Sequence, residues 1–196
     1  MRFPTAVLVL TVGYLALVLS ACGDSAANDS QPSPTAFASK VQTPVAQARE
    51  AGITPYWLGE RVEEVSDDFR FTGNAGYGDL ANELPGFAFD YWERGEQPSM
   101  TVTSYPPEET HDARRRSWLA IDGATSEPVE LSGWSGEIIS VLEDDGQFQV
   151  IVLLRGEEAA VRMFTTTTGE HILTSPLSDP EQLLAIIEDN LRPYPE

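Results

Sequence analysis

Apolar and polar positions alternate most cleanly in Phe87-Ala88-Phe89-Asp90-Tyr91-Trp92, where Phe87, Phe89 and Tyr91 share one face and Ala88, Asp90 and Trp92 the other. A period of two is that of a strand with one buried face. The turn-like run from Glu93 to Pro98 follows, so Ser99 to Tyr105 is expected to fold back as the second strand of a hairpin. A second hairpin is predicted where Glu137 to Leu142 and Gln147 to Arg155 flank Glu143-Asp144-Asp145-Gly146, because Asp-Gly supplies the positive φ of a tight turn. Val150 to Leu154 is apolar on both faces and belongs centrally in its sheet. Ala159 to Thr168, rich in β-branched residues, predicts a further strand.

The period changes near the C-terminus. Leu183, Leu184, Ile186, Ile187 and Leu191 form a helical stripe that ends before Pro193. Ser178-Asp179-Pro180-Glu181 reads as its start, with Ser178 as N-cap and a glutamate three residues on. The expected fold class is α+β, a mostly antiparallel meander with the C-terminal amphipathic helix packed on one face. Pro106 to Ser117 fits helix or loop. Gly73, Gly76 and Gly78 lack a following Gly-Lys-Ser/Thr, which argues for a mobile loop rather than a phosphate cradle.

The N-terminus follows a different logic. Arg2 precedes an apolar run from Ala6 to Leu19, the layout of a secretory signal peptide. As a helix the run would span roughly 21 Å, short of a hydrocarbon core of about 30 Å. It ends in Leu19-Ser20-Ala21-Cys22, which resembles the lipobox of bacterial lipoproteins. The resemblance covers the first 22 residues and implies that the Cys22 thiol receives a diacylglycerol and that the chain is cut just before it. Cys22 is the only cysteine, so no internal disulfide competes for it. Two acyl chains suffice for stable attachment, at about 0.8 kcal/mol per buried methylene. Thr54-Pro55-Tyr56-Trp57-Leu58-Gly59 is similar to uncharacterised lipoproteins of high-GC bacteria, which implies no activity.

The expected organisation is a signal peptide over 1–21, the lipidated cysteine and a flexible tether over 22–50, and one globular domain over 51–196. The tether reading rests on Ser, Ala, Asp, Asn, Gln, Pro and Thr between Gly23 and Val45, too little apolar surface to offset ordering. A short helix is expected to begin at Thr43-Pro44, with proline at the first helical position.

Charge removes several functions. The net charge is −19, and loss of Arg2 with the signal moves it to about −20; such a field opposes nucleic-acid phosphates and anionic headgroups. The expected partners are therefore the membrane, through lipid on Cys22, and an envelope protein or glycan, at an exported, lipid-anchored location facing the extracytoplasmic side. The 12 basic residues are Lys40 and 11 arginines.

Candidate chemistry is sparse. Gly133-Trp134-Ser135-Gly136 lacks the spacing of a nucleophile elbow and reads as a turn. His111 and His171 sit in no zinc-binding spacing, and Glu60, Glu63, Glu64, Asp67 and Asp68 do not match a calcium loop. No metal, cofactor or catalytic residue is assigned. Arg114-Arg115-Arg116 has the chemistry to clamp a carboxylate or phosphate, and internal pairing with the many acids competes with that role. Trp92 beside Asp90 lies on the face opposite Phe87, Phe89 and Tyr91, where an exposed indole would stack on a sugar or anchor a protein. The expected function is a non-catalytic binding module at the cell envelope. The alternatives are a carboxylate-dependent hydrolase of envelope polymers and a carrier enclosing an apolar ligand.

Overall fold

The alternation over 87–92 does form a strand, and its neighbours follow from it. The computed structural model describes residues 34–79, 85–93 and 96–196; Cys22 and the apolar run before it lie outside them. In chain order the elements are α1 (Pro34–Glu50), β1 (Tyr56–Trp57), β2 (Phe69–Asp79), β3 (Pro85–Glu93), β4 (Glu96–Tyr105), α2 (Asp112–Leu119) and β5 (Thr125–Leu131). Then come β6 (Trp134–Leu142), β7 (Gln147–Arg155), β8 (Ala160–Thr168), α3 (His171–Thr174), a 3-10 turn (Pro176–Ser178), α4 (Pro180–Asn190) and β9 (Arg192–Pro193). The class is α+β.

Seven strands form one antiparallel sheet in the order β2-β3-β4-β8-β7-β6-β5. It consists of two meanders, β2 to β4 and β5 to β8, joined side by side through β4 and β8. The expected hairpins are β3-β4 and β6-β7, and Gly146 takes φ +83° in the turn of the second. β7 is buried from Gln149 to Leu154 between β6 and β8, as an apolar run on both faces requires. Ser132 and Gly133 make the β5-β6 turn, so of the Gly133 to Gly136 turn reading only Gly133 holds; Trp134 to Gly136 already belong to β6.

The registers align two sets of rows. On the core face Phe89 lies in line with Val102, Met163, Val152 and Ile138; on the far face Asp90 lies in line with Thr101, Phe164, Ile151 and Ile139. Phe87, Phe89 and Tyr91 are fully buried on the core face. The main apolar cluster there also takes in Val41, Val45 and Ala48 of α1, Ile53, Leu58 and Val62 from the segment around β1, and Leu183, Ile186 and Ile187 of α4. The Leu58 amide donates to Tyr91 Oη at 3.0 Å, and Tyr91 Oη donates to the Gly59 carbonyl at 3.2 Å. Burial pushes the Tyr91 hydroxyl pKa up, so it keeps the proton this bridge needs.

Further expectations are corrected. Part of the tether folds: α1 runs to Glu50, and Val41, Val45 and Ala48, spaced four and three apart, are buried. A helix turns that spacing into one apolar face, which the surrounding polar composition obscures. Pro44 accordingly lies inside the helix rather than at its first position. The glycine-rich stretch is β2, an edge strand with an irregularity between Phe71 and Ala75. Phe71, Ala75 and Tyr77 pack on the main cluster, so the aromatic alternation outweighs the glycines. Finally, α4 is capped by Asp179, whose Oδ1 accepts from the Glu181 amide at 2.9 Å and the Gln182 amide at 3.1 Å. Pro180 suits the first helical position, which puts the cap one residue before it; Ser178 instead lies 2.7 Å by Oγ from Thr167 Oγ1.

Pro106 to Ser117 resolves into a loop up to His111 followed by α2. No described helix is long and apolar enough to cross a membrane.

Candidate functional site

The far face is divided. Over β6 and β7 it is apolar, and Trp118 of α2 packs there with Ile139, Val141, Ile151 and Leu153, its ring 6.3 Å from that of Phe164. Between α2 and strands β5 to β7 an open cleft of about 490 Å³ remains. Its lining includes His111 and Arg115 from the α2 side, and Ser126, Ser135, Glu137 and Arg155 from the strands.

His111 lines the cleft from the loop before α2. It precedes α2 with φ 57°, in the left-handed region where a residue with a side chain is held at a cost of about 1 to 2 kcal/mol. Its amide donates to Glu109 Oε1 at 2.6 Å, its Nδ1 lies 3.9 Å from the same oxygen, and its ring meets Tyr105 edge-on with centroids 5.1 Å apart. The Glu109 carbonyl accepts from Arg155 Nη2 at 2.9 Å. The loop before α2 is thereby tied to the end of β7.

Glu137 lines the cleft from β6. It accepts from Arg115 Nε and, through its other oxygen, from Ser126 Oγ at 2.7 Å. The carboxylate beside it raises the Arg115 pKa. Arg155 differs: among the described residues it makes no salt bridge, and its side-chain hydrogen bond goes to a neutral carbonyl. Ser135 stands directly across from it on β6. In a chain with 31 acidic residues, a guanidinium without a carboxylate beside an open cleft is a local excess of positive charge.

The arginine triplet does not act as one clamp. Successive helical residues are turned about 100° apart, so Arg115 reaches Glu137 while Arg116 is exposed and Arg114 half-exposed. Trp92 is 41% exposed and pairs with Arg70 and Ser99 on the other half of the far face. Asp90 beside it is engaged, accepting from Thr101 Oγ1 at 2.9 Å and from Asn74 Nδ2. The site residues missed by sequence reasoning are His111, Ser126, Ser135, Glu137 and Arg155. The strand register brings Ser126, Ser135, Glu137 and Arg155 together, and the loop before α2, tied to Arg155 through the Glu109 carbonyl, adds His111.

Among the described residues no group of three His, Cys, Asp or Glu side chains is placed to hold a metal. No family model matches the chain, and no curated protein matches it.

Proposed function

We propose that this chain is a lipoprotein, held on the extracytoplasmic side of a membrane through Cys22, whose folded part is a non-catalytic binding module. The observation that carries the binding reading is the open cleft between α2 and strands β5 to β7. Glycoside hydrolysis needs two carboxylates set across a cleft, whereas the one carboxylate among the described residues lining this cleft, Glu137, is held by Arg115 and Ser126. A carrier needs an enclosed apolar volume, and this cleft is open and lined by charged and hydroxyl groups. Trp92 offers a second contact, toward an envelope protein or glycan. We further infer that α4 closes the core face through the 3-10 turn, which touches α4 on one side and β7 and β8 on the other.

Anchoring is supported by Leu19-Ser20-Ala21-Cys22 at the end of an apolar run. Cys22→Ser is expected to abolish labelling by a radioactive fatty acid and leave the chain at precursor size. Normal processing of that variant with unchanged membrane association would defeat the lipoprotein reading.

A further inference from the structure

We propose that the cleft binds a small oxyanion, a carboxylate or phosphate group, with Arg155 as the principal cation, Ser135 as a hydroxyl donor and Arg115 as a second guanidinium shared with Glu137. This rests on the binding-module reading and names the ligand class of its site. Arg155 and Arg115 face Glu137 alone among the carboxylates lining the cleft, so the lining is net positive inside a protein of net charge −19. Long-range repulsion of anions is overcome only where fixed cations are local and close, because exposed charges are screened beyond about 8 Å at physiological salt.

Geometry supplies the rest. The Arg155 guanidinium is steadied through Nη2 by the Glu109 carbonyl, a neutral partner that leaves its charge uncancelled. Arg115 is engaged with Glu137 through Nε, and a planar guanidinium offers further N–H groups for bidentate contact with an oxyanion. Across the sheet from Arg155, Ser135 Oγ has no hydrogen-bond partner among the described residues. The cleft volume of about 490 Å³ exceeds that of a simple ion, so the oxyanion is one end of a larger ligand whose body rests on Pro128 and Leu153. Glu137 opposes binding: its carboxylate already occupies part of Arg115 and repels a second anion.

The role of Glu137 makes the test sharp. The full-length chain in detergent micelles is titrated calorimetrically with inorganic phosphate and with citrate, using methyl glucoside as a neutral control. The expected result is binding of at least one oxyanion, weakened about tenfold or more by Arg155→Gln and strengthened severalfold by Glu137→Gln. The stronger of the two probes names the oxyanion. Arg155 is exposed, so an unchanged thermal midpoint in Arg155→Gln separates lost binding from lost folding, and Arg155→Lys is expected to recover part of the affinity. No oxyanion binding by wild type or Glu137→Gln overturns the proposal, as does equal binding by wild type and Arg155→Gln. Binding of the glucoside alone, abolished by Glu137→Gln, would also overturn it while leaving a binding module in place.

Discussion

The two faces of the sheet are made by the same strands and differ in how they are closed. On the core face the rows through Phe87, Phe89 and Tyr91 belong to one apolar cluster with residues of α1 and of the segment around β1. On the far face α2 covers the apolar β6-β7 half, while Asp90, Thr101 and Trp92 lie on the other half. Burial of apolar area is non-directional and roughly proportional to area, so a continuous apolar face recruits every amphipathic segment within reach. A mixed face recruits one short helix and leaves a cleft where polar side chains must satisfy each other. Stability is therefore concentrated on one face and the candidate chemistry on the other.

Substitutions on the two faces test this division. Phe89→Ala is expected to cost about 3 to 5 kcal/mol in urea unfolding, because Phe89 is fully buried and touches Phe71, Phe87 and Tyr194. Next in size is Val45→Ala in α1, expected at roughly 1.5 to 3 kcal/mol; a cost near zero would return that segment to the status of a tether.

Asp179→Ala, which removes the α4 cap, is expected to cost about 1 kcal/mol at neutral pH. Hydrogen bonds from Gln182, by side chain and amide, hold the Asp179 carboxyl below its ordinary value of 3.8. Its folded pKa is depressed, so the contribution is full above 3.8 and fades as pH falls through the lower folded value. Wild type and variant should thus converge in acid, and a gap independent of pH would show that the cap does not act through the carboxylate. Trp92→Ala is the smallest, below about 0.5 kcal/mol, since its indole is 41% exposed. A loss comparable with that of Phe89→Ala would mean that the far face carries the fold as well.

Strands with unmixed patterns are legible from their residues alone. Residues 87–92 and 150–154 each satisfy one rule of burial along their length, and the structure places them as expected. β2 is hidden because its glycines signal a loop more loudly than Phe69, Phe71 and Tyr77 signal a strand. β5 is hidden because six of its seven residues are not buried and Glu127, Pro128 and Glu130 interrupt it. Charge and proline are suited to an edge, where they discourage pairing with another chain, and an edge position is a property of the sheet rather than of the segment.

The candidate site is less legible than the fold. Arg114, Arg115 and Arg116 stand out because they are adjacent, yet adjacency on a helix separates side chains, and Arg115 alone among them lines the cleft. Ser135 draws notice only in a stretch that lacks the spacing of a nucleophile elbow and Arg155 in no motif, and the β6-β7 register sets them opposite one another. By itself the sequence determined the local periods and the β6-β7 turn with its glycine, since each depends on residues within a few positions. Tertiary structure alone decided that α1 belongs to the core, that β4 meets β8, and that His111, Arg115, Glu137 and Arg155 border one cleft. Those outcomes depend on which distant surfaces bury each other, and pairing between surfaces leaves no period in the chain.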